Sequence, residues 1–466
     1  MRFDKDFLIG AATAAHQVEG NNVHSDYWAQ EHMVHTDFLE PSGDAVDHYH
    51  RYAEDIRLMA DAGLNAYRFS IEWARIEPQE GCFDETQIAH YREVIRTCKS
   101  HGIEPIVTLL HFTSPKWLIC KGGWESDETP AYFARYVRYV MEQLGEELRY
   151  VCTINEANMG IQVAAIAKRY MQQMMAKMQN ARPGNETARP DGANSRVDGN
   201  DPQADSTGTE DGQMSGGQAD STVQMGLNLE KMMANQQAAE KERLEIFGVA
   251  KTECFTSPRT AHGDEIVMEA HRAARAVIRE IAPHVRVGLT LSLHDIQAQP
   301  GGEKNAEKEW AEEFTHYLPA IEEDDFLGVQ NYTRTRVGAE GTLPVPADAE
   351  LTQMDYEFYP QALEHVIRRV AKDFNGDLMV TENGIATGDD ARRVAFIETA
   401  LSGVQNCVAD GIPVKGYMYW SLMDNFEWQK GYSMTFGLIA VDRGTQRRIP
   451  KPSLAVLGEI CKTLGQ

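Results

Sequence analysis

Eight short apolar runs recur along this chain, and between them the hydrophobic period changes from that of a strand to that of a helix. The runs are 7–13 (FLIGAAT), 64–70 (LNAYRFS), 105–111 (PIVTLLH), 149–156 (RYVCTINE), 285–292 (VRVGLTLS), 326–332 (FLGVQNY), 378–384 (LMVTENG) and 416–422 (GYMYWSL). They are short enough for strands and rich in β-branched or aromatic residues. In the intervening segments Tyr52, Ile56, Met59 and Ala60 fall on one helical stripe. So do Ile88, Tyr91, Ile95 and Cys98, then Tyr132, Tyr136, Val140 and Leu144. Leu363, Ile367 and Val370 form a later stripe, and Leu454, Leu457, Cys461 and Leu464 a last one. Eight strands alternating with helices, with no strand-only region, predict an α/β fold of parallel units closed into a (β/α)8 TIM barrel. The reading is a single barrel domain over 1–466.

One segment breaks the rhythm. Between the fourth strand and a helix near 263–282 lies an insertion, 160–260, where a short connection would suffice. Its centre, about 181–222, consists of Gly, Ser, Thr, Asn, Asp and Gln with almost no large apolar residue, a composition that buries too little surface to offset chain entropy. The flanks, KRYMQQMMAKMQ and VQMGLNLEKMMANQQAAEKERLEIF, are strong helix formers with clustered methionines. They read as an amphipathic pair packed over the barrel mouth, with an adaptable Met-lined binding surface as the alternative.

The formal charge of −25, from 45 Lys and Arg against 70 Asp and Glu, excludes the cationic face that nucleic acid or an anionic membrane would require. The first residues, MRFDKDFLIGAATAAHQVEG, carry acids where a secretory signal has basic residues. No run approaches the ~20 apolar residues that cross a bilayer. The seven cysteines are scattered, odd in number and without a CxxC pair, which predicts reduced thiols in the cytoplasm.

Polar residues stand where the apolar runs stop. Gln17 and Glu19 follow the first run, the second holds Arg68, and the third ends at His111. The fourth ends at Asn155 and Glu156 and the seventh at Glu382 and Asn383, while the eighth gives Trp420 and then DNFEW with Glu427 and Trp428. In a β/α barrel these ends converge on one mouth, where catalytic groups of such folds sit. Two carboxylates facing one pocket invite acid/base or nucleophilic chemistry. The six histidines between His16 and His50 are irregularly spaced, and no metal-ligand set, glycine-rich phosphate loop or basic patch accompanies them, so no metal or cofactor is expected. Trp420, Trp428, Tyr332 and Phe436 offer flat apolar faces suited to the C–H side of a sugar ring. Gln17, His111, Asn155 and Glu427 can hydrogen-bond its hydroxyls. A sugar cleaved between two carboxylates is glycoside hydrolysis.

Seven stretches, in order, resemble glycoside hydrolase family 1, the retaining β-glucosidases and β-galactosidases: FLIGAATAAHQVEG, NAYRFSIEWARIEP, PIVTLLHF, TINEA, LGVQNYTR, TENG and WSLMDNFEWQKGYSMTFGLIAVD. The resemblance implies a retaining, exo-acting β-glycosidase of the β-glucosidase kind. Such an enzyme removes terminal β-D-glycosyl residues from small β-glucosides or β-linked oligosaccharides by double displacement. It implies Glu382 as nucleophile and Glu156 as general acid/base. Gln17, His111, Asn155, Glu427 and Trp428 would hold the sugar's hydroxyls, Trp420 would form the floor, and Arg68 and Tyr332 would orient Glu382. The chain departs from the family at Phe112, where Trp is usual, at Ala157, where Pro is usual, and at Gln330, where many members carry Asn. Two alternatives stay open: a 6-phospho-β-glycosidase, whose members carry a serine where this chain has Glu427, and a non-catalytic glycan-binding barrel. Because the insertion leaves the barrel beside Glu156, it is expected to lie over the leaving-group path, with the glycone pocket built elsewhere.

Overall fold

The eight apolar runs all become strands of one parallel sheet. They are β1 (Leu8–Ala12), β2 (Ala66–Ser70), β3 (Glu104–Leu110), β4 (Tyr150–Ile154), β5 (Arg286–Ser292), β6 (Phe326–Gln330), β7 (Asp377–Asn383) and β8 (Val414–Trp420). Each pairs with its neighbours in sequence, and β1 pairs with β8, so the sheet closes into a barrel. The structure, a computed structural model, describes residues 3–180 and 225–465; the low-complexity centre expected at 181–222 lies outside the described residues.

The strands read as unbroken apolar runs because both faces are covered. All five residues of β1, β2, β4 and β6 are buried. Inside the barrel, Leu8, Ala66, Ile106, Tyr150, Phe326, Met379 and Met418 belong to one buried cluster that also reaches Trp420. The outer core joins the strands to the surrounding helices. Those helices are α1 (His48–Ala62), α2 (Glu85–Ser100), α3 (Thr129–Leu144), α4 (Met159–Asn180), α5 (Leu229–Phe247), α6 (Ala261–Ile281), α7 (Glu303–Glu313), α8 (Ala362–Val370), α9 (Asp390–Ala409) and α10 (Pro452–Lys462). The predicted stripes are the inward faces: Ile88, Tyr91, Ile95 and Cys98 of α2 are all buried, as are Leu363, Ile367 and Val370 of α8. Each such aliphatic side chain contributes ~1.5–3 kcal/mol relative to exposure. Side-chain caps set the starts. Asp84 accepts from the Thr86 amide, Thr260 from Gly263 and Asp389 from Ala391.

Register puts the carboxyl ends of the strands on one rim. Ala12 stands opposite both Trp420 and Arg68, Leu110 opposite Ile154, and Gln330 opposite both Ser292 and Glu382. Two small sheets lie outside the barrel and carry no period in the sequence. One is Asp295–Ala298 with Arg334–Gly338 and Gly341–Thr342, the other the antiparallel pair Ile439–Asp442 and Arg447–Pro450.

The flanks of the insertion are helical, as expected. Met171 and Met175 of α4 and Met233 of α5 are exposed. Helix α4 packs on α7, whereas α5 packs on the short turn Lys116–Ile119.

Immediately after β7, Gly384 approaches β8 so closely that a Cβ there would stand 1.9 Å from the Trp420 carbonyl oxygen. That approach brings the strand carrying Glu382 against the strand carrying Trp420. Gly384→Ala is expected to lower stability by ~1–3 kcal/mol, as overpacking does, read as a lower urea midpoint with unchanged slope. An unchanged midpoint would contradict the close approach.

Candidate active site

Glu382, near the end of β7, has a donor on each carboxylate oxygen. Arg68 Nη1 donates to Oε1 at 2.6 Å, and the Tyr332 hydroxyl donates to Oε2 at 2.6 Å. Arg68 itself is buried and spans strands: its Nε donates to Thr108 Oγ1 of β3 at 3.0 Å and its Nη2 to Asn155 Oδ1 at 2.5 Å. Burial opposes the charge of Arg68, and the Glu382 carboxylate more than offsets it, so the guanidinium holds its proton more firmly than usual.

Asn155 follows β4. Its Oδ1 also accepts from Thr290 Oγ1 at 3.2 Å, which leaves its Nδ2 to donate to His111 Nε2 at 3.2 Å. The His111 proton therefore sits on Nδ1, an atom with no hydrogen-bond partner among the described residues. Burial, helped by the charge of Arg68, pushes the His111 pKa well down, so the ring is neutral. Glu156 comes next, with its backbone in the left-handed region at φ 45°. Its amide donates to Thr290 Oγ1 at 3.0 Å and its carbonyl accepts from the Met159 amide at 2.8 Å, the first turn of α4. A non-glycine residue there costs ~1–3 kcal/mol and persists where the surroundings impose it. Phe112, at φ 67°, and Trp428, at φ 46°, share that conformation at the same mouth.

On the β1 and β8 side, Gln17 Nε2 donates to the Phe426 carbonyl at 2.7 Å and lies 3.3 Å from Glu427 Oε2, while Gln17 Oε1 has no partner among the described residues. Trp420 and Trp428 stack against His111 at ring separations of 5.6 and 6.0 Å. Trp428 also stacks on His16, and Phe112 lies 5.2 Å from the Trp428 ring. Phe436 meets Tyr332 edge-on at 6.1 Å. Gln330 is fully buried beside Ser292 and Glu382, and neither atom of its amide has a hydrogen-bond partner among the described residues. Thirteen of the residues singled out from the sequence thus lie around one buried mouth, whereas Glu19 turns to Arg75 and Tyr91.

The structure adds residues the sequence did not single out. Thr108 and Thr290 brace Arg68, Asn155 and the Glu156 amide. Threonine inside an apolar run reads as a strand former, so only its polarity sets it apart. Tyr356, buried in the same cluster as Tyr332, Trp420 and Phe436, comes from a loop without any period. Gly226, where the insertion returns, donates its amide to Glu427 Oε1 at 3.2 Å. The return end of the insertion therefore touches the β1 and β8 side of the mouth, not only the side where the insertion departs. The early histidines do not converge: His16 faces Asn22, His35 Glu242, His48 Asp55 and His50 Asp47.

The sequence model of Glycosyl hydrolase family 1 matches residues 1–181 and 313–466. The chain is 42% identical to the solved structure of a beta-glycosidase, BGL167, with a TM-score of 0.80 over 99% of this chain and 97% of that one. It is 28% identical to Beta-glucosidase A of Thermotoga maritima, covering 97% of this chain and 96% of the relative. It is also 28% identical to a 6-phospho-beta-galactosidase of Lacticaseibacillus rhamnosus, covering 98% of each.

The two acids differ in setting. Glu382 holds the two donors above, which suits a carboxylate. Glu156 is held well above the usual carboxyl range, first by burial and then by the negative charge of Glu382, with Arg68 working against both. Replacing Glu382 by Gln removes that negative charge and leaves the Arg68 cation unneutralised. Both changes favour ionised Glu156. Its pKa is therefore expected to fall in Glu382→Gln, read by infrared titration of the carboxyl band. A Glu156 that titrates unchanged or higher in the variant would contradict this coupling.

Proposed function

The chain belongs to glycosyl hydrolase family 1, and on that footing we propose that it is a retaining, exo-acting β-glucosidase in which Glu382 is the nucleophile and Glu156 the general acid/base. The observation that carries this reading is the pairing of a carboxylate gripped by Arg68 and Tyr332 with a neighbour whose pKa is raised first by its burial and then by that carboxylate's charge. A Glu382 oxygen attacks the anomeric carbon. The bond to the leaving oxygen breaks, and that oxygen takes its electron pair and the proton of Glu156. Esterified Glu382 is neutral, so Glu156 loses the charge that raised its pKa and becomes a better base. It then takes a proton from water, which attacks the same carbon and releases Glu382. Tyr332, whose own ionisation burial and Glu382 push far out of reach, stays a phenol that donates to the nucleophile.

Gln17, His111, Asn155, Glu427 and Trp428 bind the glycone hydroxyls in this reading, and Trp420 is the floor. The unpartnered Gln17 Oε1 and the His111 Nδ1 proton support it, since buried polar atoms require partners that sugar hydroxyls supply. The leaving group lies on the Glu156 side, over the first turns of α4. There a small open cleft runs between α4 and α7, lined by Gln162, Ile166, Arg169 and Glu309, and Gln162 Nε2 donates to the Ser292 carbonyl at 2.9 Å. The substrates are small β-glucosides or β-linked oligosaccharides. The seven cysteines stand as free thiols, which supports a cytoplasmic setting, and no described helix is long and apolar enough to cross a membrane.

The relatives that act on 6-phosphosugars make phosphate the second reading, and the pocket opposes it. Burial pushes Glu427 up to about 8, so charge repulsion alone is a weak barrier near neutral pH. The stronger obstacle is that a buried phosphate requires a cation or several donors. The side chains of Met434 and Phe436, which follow Glu427 and pack against the inner cluster, supply neither. Proton NMR of an aryl β-glucoside digest is expected to show β-glucose as the first-formed sugar, and the 6-phosphorylated substrate is expected to be cleaved more slowly than the plain one. An α-anomer formed first would overturn the nucleophile assignment. Faster cleavage of the 6-phosphate would overturn the glucoside reading.

A further inference from the structure

The strap by which the insertion returns to the barrel is built onto the glycone side of the mouth. Met225 is buried in the outer core that also holds Phe112 and Trp428. Gly226 donates to Glu427 Oε1 at 3.2 Å, its carbonyl accepts from the Gln429 amide at 3.1 Å, and the Asn228 amide donates to Gln429 Oε1 at 2.6 Å. Helix α5 then anchors the strap outside: Lys231 Nζ donates to the Phe38 carbonyl at 2.6 Å, and Asn235 to the Thr36 carbonyl at 2.9 Å. Gly226 sits so close to Glu427 that a Cβ would lie 2.5 Å from the Glu427 carbonyl oxygen and 3.1 Å from its Cγ. No side chain fits there unless the strap moves away.

We propose that Gly226 is the positioning residue for Glu427, and that the strap Met225–Asn228 is a specificity wall that closes the glycone pocket against sugars substituted on the hydroxyls facing Glu427. The proposal rests on the reading of Glu382 as nucleophile and Glu156 as acid. The acid protonates the leaving oxygen from the β4 side, so the glycone extends toward β1 and β8, where Gln17 and Glu427 stand. The amide of Gly226 occupies Oε1 and directs Oε2, which Gln17 approaches, toward the sugar. The strap comes from a stretch that the family's sequence model leaves unmatched, since the matched residues end at 181 and resume at 313. That stretch also holds β5 and α6, and within it the strap is part of the insertion after β4.

The test uses the full chain and two variants. Gly226→Ala displaces the strap at Glu427. Gln429→Ala removes the acceptor of the Asn228 amide and loosens the same strap without crowding the glutamate. Circular dichroism melts establish that each variant folds. Binding of 1-deoxynojirimycin, a glucose-shaped iminosugar with no leaving group, is followed by calorimetry. Hydrolysis is compared on 4-nitrophenyl β-glucoside and its 4-O-methyl and 6-O-methyl ethers. The expected result is iminosugar binding weakened by about tenfold in Gly226→Ala, the scale of a lost hydrogen bond to an acidic group, and more weakly in Gln429→Ala. Discrimination against at least one methyl ether should narrow in parallel, while the dependence of rate on phenol leaving-group pKa stays as in the parent. A merely structural strap would leave the ratio between glucoside and ethers unchanged. Folded variants with parental iminosugar affinity and parental selectivity overturn the proposal while leaving the β-glucosidase reading intact. A shift seen only in the leaving-group series overturns it by assigning the strap to the aglycone. A parent chain that cleaves no β-glucoside overturns the functional reading, and the strap's role falls with it.

Discussion

A buried arginine ties the mouth of this barrel together. Arg68 reaches from β2 to Thr108 on β3, to Asn155 after β4 and to Glu382 on β7, so one guanidinium joins four strands of the rim. A buried cation is tolerated only where its donors are satisfied, and leaving it unpaired costs ~3–5 kcal/mol. The positions of Glu382 and Asn155 are therefore set by the same requirement. Through Asn155 it also sets the His111 tautomer, and through Thr290 it connects to the Glu156 amide. The proposed chemistry draws on that lattice: burial first, and then the Glu382 carboxylate that Arg68 grips, raises the pKa of Glu156.

Burial gives this arrangement its strength. Glu156, Glu382 and Glu427 are each less than 5% exposed. In a low-dielectric site a neighbouring charge acts with far more force than in water. Three acids in one pocket differ in their partners. Glu382 has an arginine and a phenol, Glu156 a like charge, and Glu427 an amide from the insertion together with Gln17. The surroundings that create these differences come from strand ends, the loop after β8 and the strap.

Much of this was legible in the chain. Strands buried on both faces leave unbroken apolar runs, and a polar residue in or at the end of such a run is conspicuous, so the sequence alone places Arg68, His111, Asn155, Glu156 and Glu382 at one rim. Where a strand ends before its apolar run does, the backbone explains it. The run 149–156 looked like one strand, but the ladder stops at Ile154 and Glu156 turns into the left-handed region. The run 326–332 likewise leaves the ladder after Gln330, and Tyr332 is free to reach across to Glu382. The strap at Met225–Asn228 had no signal. A departure point beside Glu156 says nothing about where the chain comes back, and a glycine chosen for close approach to another backbone looks like any loop glycine. Tyr356 was invisible for the same reason, being placed by tertiary contact alone.

The central claim is that Glu382 forms the covalent bond to the sugar while Glu156 moves the proton. Incubation with 2-deoxy-2-fluoro-β-glucosyl fluoride, whose fluorine slows release of the glycosyl group, tests it directly by peptide mass spectrometry. The account predicts one fluoroglucosyl group per chain, carried on Glu382 within the TENG peptide, with activity lost in step with labelling. A label on Glu156 or on any other side chain, or continued turnover with no adduct at all, would contradict it.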